Sequence, residues 1–304
     1  MANALADLGK QWDDTIVPVL QTNAIGKMLM PINTDLSGKG LGALSIDTFN
    51  YVARGSAQIS YNIQQNIEDR VDITVGDLKI PVLQDDVVIP RRDWDAYALR
   101  GVPLEDDIAN DMAAKVATQM TSLVVMGWKP DGTNYTIKGM YQVANNTVAG
   151  ADFDTFGNAL KTVAAAISKL KEDGIYSAGY NLCLSSLNYA ELLGSYSSAG
   201  VSEYEAVLNM LNADATGHVG RVFDCGDLAA GTGMVAPVAS QENRRYFDIV
   251  EPQEPTFSLW YSDGNTESGD VKTRLLGAAV PRFKHLDSSG KDDCICTITG
   301  LDSS

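Results

Sequence analysis

PLEDDIANDMAAKVATQMTSLVVMG, residues 103–127, is the stretch from which the rest of this chain is read. Leu104, Ile108, Met112, Val116, Met120, Leu123 and Val124 recur every three or four positions and so keep to one face of a helix. Pro103 suits the first turn, Glu105, Asp106 and Asp107 favour the positive end of the helix dipole, and Gly127 can end it. At about 1.5 Å per residue the helix is a rod of roughly 35 Å, long enough to organise a domain.

Upstream, the pattern changes from helical spacing to alternation. Between Tyr51 and about Pro90, AQISYNI, VDITV, LKIPVL and VVIP read as strands, separated by the polar NIQQNIEDR and VGDLK. The block is either a long two-stranded excursion with little apolar material to bury against itself, or an edge hairpin of a globular sheet. Further upstream, Leu5, Leu8, Trp12, Ile16 and Val19 predict a short helix within 3–22 that Pro18 ends or kinks. Gly38, Gly40 and Gly42 then mark an irregular connecting arm.

Downstream, a helix is expected from near Asp152, with Phe156, Leu160, Val163, Ile167 and Leu170 as its buried stripe and Gly174 as its stop. YNLCL (180–184) is a strand, SLNYAELLG (186–194) a short helix, and Ser202 with Glu205 is spaced as a capping box before EYEAVLNMLN. RVFDC and GMVAPVA read as further strands, so 152–240 forms an α/β unit. The tail (YFDIV, FSLWYS, VKTRLLGAAVPRF, CICTITG) is strand-rich. A domain shared between the long helix and this tail would be discontinuous, with the α/β unit inserted.

The 304 residues carry 23 Lys+Arg against 39 Asp+Glu, a formal charge of −16, and are 45% hydrophobic. That composition can bury a sizeable core. It gives no general attraction for phosphate or anionic headgroups, and no long basic patch supplies one. MANALADLGKQWDD lacks the order of a signal peptide, and no apolar run approaches the ~20 residues of a membrane helix, so a soluble protein made in the cytosol is expected.

Residues with chemical potential are few. Two histidines, His218 and His285, starve most catalytic schemes, and Ser185-Ser186 lead into a helix where capping explains them. Cys183, Cys225, Cys294 and Cys296 form no CxxC and read as buried thiols rather than zinc ligands or a disulfide. GDLAAGTG (226–233) has Thr232 where a phosphate loop needs Lys, and SGKGLG (37–42) lacks the flanking strand and helix. Asp263, Asn265, Glu267 and Asp270 offer oxygen ligands but not the calcium-loop order, which leaves a solvated turn. Arg91, Arg92 and Arg100 lie beside Trp94 and Tyr97, with Asp93 and Asp95 interleaved, and read as an ion-pair network at a strand-to-helix junction. No catalytic, cofactor-binding or metal residue is assigned. A small α/β enzyme lacks its polar constellation here, and a periplasmic-type binding protein lacks its signal peptide.

In element order the chain resembles the Hong Kong 97-type capsid fold of tailed-virus capsids and encapsulins, the linocin branch in particular. VVIPRRDWDAYALRGVPLEDDIANDMAAKVATQMTSLVVMGW (87–128), TIKGMYQ (136–142) and YNLCLSSLNYAELLG (180–194) carry the likeness. It implies an α+β chain with an N-terminal helix and arm at 1–49 and an extended loop at 50–90 that lies over a neighbouring subunit. A peripheral domain at 91–149 with spine helix 103–127 would follow, then an inserted axial domain at 150–240 and closing strands at 241–304. Loops 194–202 and 212–220 would meet at five- and six-fold axes.

The implied partners are further copies of the chain, in pentamers and hexamers, portal or decoration proteins, and either packaged DNA or a cargo protein held near the N-terminal helix. Because the arm at 23–50 departs from a compact encapsulin start, the expectation is a major capsid protein of a tailed virus or provirus, located in the virion. The alternative is the shell of an encapsulin compartment around a cargo enzyme. Lys79 has no acidic catalyst specified beside it, so no crosslink between subunits is expected.

Overall fold

The computed structural model describes residues 25–34, 36–54, 70–100, 104–213, 219–261, 269–286 and 290–301. The expected helix at 3–22, the strand at 57–63 and the acidic turn residues Asp263, Asn265 and Glu267 lie outside them.

In chain order the first elements are α1 (Ile25–Leu29), β1 (Ile32–Asn33), β2 (Ser45–Arg54), β3 (Arg70–Lys79) and β4 (Val82–Ile89). α2 (Arg91–Arg100), α3 (Leu104–Val125), β5 (Gly127–Trp128), β6 (Ile137–Lys138), α4 (Met140–Val143) and β7 (Ala144–Ala149) follow. Next come α5 (Asn158–Glu172), β8 (Tyr180–Leu184), α6 (Ser186–Gly194), α7 (Glu203–Leu211), β9 (Val222–Asp224) and β10 (Thr232–Pro237). β11 (Phe247–Tyr261), β12 (Val271–Phe283) and β13 (Asp292–Thr299) close the chain.

The long helix forms as its spacing requires. Met112, Val116, Met120, Leu123 and Val124 are buried, with Ala109, Ala113 and Ala117 filling the same face. Small residues between the large ones let β12 pack close, where Leu275 completes the cluster under the N-terminal half. After Val125 the chain turns at Gly127, whose φ of +90° suits glycine. The turn is tight because Gly127 and Gly139 lie backbone against backbone, and a Cβ on either would collide with the other's main chain.

Two sheets share the core. The first has the order β1-β11-β12-β4 and packs one face on α3; the second has the order β7-β13-β10-β8-β9 and carries α5, α6 and α7. β12 therefore returns to the long helix, and β13 runs parallel to β7, 143 positions or more earlier in the chain. One continuous hydrophobic cluster joins Met120, Val124 and Val125 of α3 to Phe153, Val163, Leu182, Met234 and Ile295. Filling a site such as Leu170 or Val163 contributes roughly 1.5–3 kcal/mol per side chain.

Four details depart from the sequence reading. The arm is not simply a connection: Leu29 and Met30 are fully buried, β1 pairs in parallel with β11, and Gly26 lies against the α3 backbone at Met120 and Thr121. The helix expected from Asp152 begins only at Asn158, because an Asp152–Gly157 turn with Gly157 left-handed precedes it. Phe156 consequently falls out of helical phase and is 44% exposed, while Phe153 takes the core position. No capping box forms at Ser202, which bridges Tyr196 and makes no side-chain cap. β4 joins the four-stranded sheet, so β2 and β3 pair only with each other among the described residues.

Candidate assembly interfaces

The β2–β3 ribbon is a two-stranded sheet in continuous antiparallel register from Ser45 opposite Lys79 to Arg54 opposite Arg70. Ile46 and Leu78 at its base pack onto Leu123, Ile137, Val250 and Val280. Of the ribbon residues at 45–48 and 75–79 none is fully buried; Val75 is 61% exposed, and Leu44, just before the ribbon, is 77% exposed. An isolated two-stranded ribbon is marginal in water, so this one needs a covering surface.

A second apolar surface lies around α6. Leu187, Leu193, Tyr196 and Val201 are all exposed. The loop that carries the last two is held firmly: Ser197 Oγ accepts the Ala199 and Val201 amides, and Gly200 turns at φ +78°. Glu203, 1% exposed, accepts from Ser195 Oγ (2.7 Å) and from the Leu160 amide (3.0 Å), which pins the loop to the start of α5. Exposed apolar side chains on a braced loop are a mark of a contact surface.

The arm is locked by charge. Asp248 on β11 is fully buried and accepts from Asn33 Nδ2 (2.9 Å), from Arg282 Nε (2.9 Å) and Nη2 (2.6 Å), and pairs with Lys284 Nζ (2.7 Å). Burial pushes its carboxyl up, but the hydrogen bonds from Arg282, Lys284 and Asn33 outweigh that and hold it below its ordinary value. Nearby, Lys27 of α1 reaches Glu251 at 2.6 Å, and burial leaves that carboxyl above its ordinary value despite the lysine.

The sequence candidates for chemistry find structural roles. Ser185 accepts the Asn188 amide and donates to Asn188 Oδ1, so it caps α6. In the 226–233 loop the Gly231 amide is taken by Asn188 Oδ1, and a strand rather than a helix follows. Arg91 forks onto Asp95 (3.0 and 3.1 Å), and Asp270 Oδ1 accepts the Arg91 amide, which commits it to the start of α2. His285 lies edge-on to Tyr246 at 5.7 Å, and His218 lies outside the described residues. All four thiols are free and buried, and burial raises Cys296 to about 11 and Cys183 well above its ordinary value. Asp152, Asp154 and Glu191 come within 4.8 Å of one another, a grouping that sequence reading missed because they lie on two different segments. Among the described residues no helix is long and apolar enough to cross a membrane.

A two-stranded ribbon, a long helix and two larger sheets make this an α+β chain. The virus-like particle from Pyrococcus furiosus has a similar fold, with a TM-score of 0.58 at 15% identity over 94% of this chain and 98% of that one. The capsid of Myoviridae phage XM1 is similar as well, at TM-score 0.61 and 15% identity over 90% of each chain. The fold is thus the Hong Kong 97-type capsid fold. Residues 5–216 match the Linocin M18 family, described as encapsulating protein for peroxidase, and the chain belongs to that family. The type 1 encapsulin shell protein EncA of Myxococcus xanthus (strain DK1622) is 25% identical over 291 residues, 95% of this chain and 91% of that protein.

Proposed function

We propose that this chain is the shell protein of an encapsulin compartment: copies assemble into a closed icosahedral shell around a cargo protein. The family match over residues 5–216 carries this reading and supports a compartment over a DNA-filled virion. The sequence ground for preferring the virion was an arm unlike a compact encapsulin start. The described part of that arm is packed, with Leu29 and Met30 buried and Asn33 bonded to Asp248.

In this reading the shell performs no chemistry of its own, and any reaction belongs to the cargo. The ribbon is the extended loop that lies over a neighbouring subunit, α3 is the spine of the peripheral domain, and the braced loop at 194–202 meets its copies at the symmetry axes. The shell stands in the cytoplasm. Electron microscopy of the chain expressed alone, with absorbance after nuclease treatment, tests this. Closed particles free of nucleic acid are expected, and DNA-filled particles would restore the virion reading.

A further inference from the structure

α2 is a helix of 10 residues that packs extensively on no other described element. It is tied down at its first turn, where Asp270 Oδ1 accepts the Arg91 amide and the Pro90 carbonyl accepts the amides of Asp93 and Trp94. Arg91 and Trp94 are half-buried on one side of it. On the other side Arg92, Asp95, Ala96 and Leu99 are all exposed, Leu99 to 89%. A helix this short is marginal in water without packing, so a face with a bare leucine calls for a cover.

Those four residues stand at i, i+3, i+4 and i+7 and so form one stripe along the helix. Their order makes the stripe complementary to itself. An antiparallel copy whose exposed Pro90 lies against Leu99 sets Arg92 two positions from Asp95 of the other helix, about 3 Å along the axis at 1.5 Å per residue. Arg92 has no side-chain partner among the described residues. Asp95 is held by Arg91 of its own helix at 3.0 Å and keeps carboxylate lone pairs for a second cation. Ala96, in the middle of the stripe, has only a methyl group and lets two helices approach closely.

We propose that α2 pairs antiparallel with α2 of a second copy across a two-fold axis, Leu99 of each covering Pro90 of the other and Arg92 of each meeting Asp95 of the other. The same patch then serves on both copies, an isologous contact. Head-to-tail contacts close rings, and a closed shell also needs a contact that joins one ring to the next, which a two-fold pairing supplies. This inference rests on the shell reading and adds to it a joint between rings.

The test combines crosslinking and charge exchange in the full chain. Position 95 stands close to the proposed axis, so mild oxidation of Asp95→Cys particles, followed by thiol blocking, is expected to give a disulfide-linked dimer on a non-reducing denaturing gel. Asp93→Cys, exposed on the same helix but off the stripe, is expected to stay monomeric there, and the four native thiols are buried. Leu99→Glu is expected to lower particle yield about tenfold at matched concentration, with unchanged far-ultraviolet dichroism. Arg92→Asp and Asp95→Arg should each lower the yield as well, and the two together should recover it to within about threefold of wild type. Equal crosslinking at 93 and 95, a wild-type yield from Leu99→Glu, or a double variant that fails would overturn the pairing while leaving the shell reading intact. Leu99→Glu shells that form normally but lose a co-purifying protein would also overturn it, by giving this face to that protein. Absence of particles from the wild type would overturn the shell reading first and this inference with it.

Discussion

Replacing Asp248 by Asn is expected to loosen the arm and destabilise the whole subunit. The substitution keeps the shape but removes the charge that holds two cations. Arg282 loses the charge and one of its two hydrogen bonds, Lys284 loses its 2.7 Å partner, and the new amide presents N–H groups to donors. The side chain of Arg282 is 13% exposed, so water reaches it poorly, whereas that of Lys284 is 25% exposed and keeps the Arg244 carbonyl. Removing one partner of a buried pair costs about 3–5 kcal/mol, and the partial solvation of Lys284 places this case near 3. At about 2.1 cal/mol/K per residue, unfolding a chain of about 300 residues carries ~0.6 kcal/mol/K, so Tm should fall by about 5 °C. Calorimetry on particles at equal concentration measures this. Hydrogen exchange at the Ile249 amide, which donates to Pro31 O, reports release of the arm. The carboxyl's depressed pKa gives a second readout. The stability it contributes is present above its ordinary value of 3.8 and is lost as pH falls through the lower folded value, so wild type and Asp248→Asn converge only in acid. A variant melting within 1 °C of wild type at pH 7, or no change at Ile249, would refute the reasoning.

Asp292 should behave in the opposite way. Burial raises its carboxyl although it accepts the Cys294 amide at 2.7 Å, so its ionisation costs stability as pH rises from about 3.8 through the raised folded value. Asp292→Asn should therefore flatten the pH dependence of Tm, and an unchanged profile would count against the assignment. Gly139→Ala drives a Cβ into the backbone at Gly127 and should cost about 2–3 kcal/mol, read as a lowered unfolding midpoint; a neutral result would mean the turn can relax. Val75→Lys, at an exposed position, should leave the isolated subunit's stability within about 0.5 kcal/mol yet reduce particle yield, and full assembly would argue that the ribbon is not covered by a neighbour.

What could be read from sequence followed range. The α3 stripe is a local, periodic signal sustained over many turns, and the helix stands nearly where the spacing put it. Alternation from Tyr51 to about Pro90 showed strands but not their partners, and so did not reveal that β4 belongs with β12 while β2 and β3 stand apart. Short elements escaped: α1 has five residues and too few periods to register, yet it buries Leu29. Phe153 and Phe156 are indistinguishable by composition, and only the left-handed Gly157 decides which one enters the core. The charged lock at Asp248 joins residues 215 positions apart, and no local pattern points to it. The apolar surface at Tyr196 and Val201 was legible only as a loop position, because exposure is a property of the packed chain.

The measurement that tests the central claim most directly is mass determination and electron microscopy of particles purified from the native cells, with their contents identified by mass spectrometry and nuclease-resistant nucleic acid. Closed shells built from the 32.6 kDa chain and enclosing a specific co-purifying protein, without protected DNA, are the expected result. Shells filled with protected double-stranded DNA, or a chain that never exceeds a small oligomer, would contradict it.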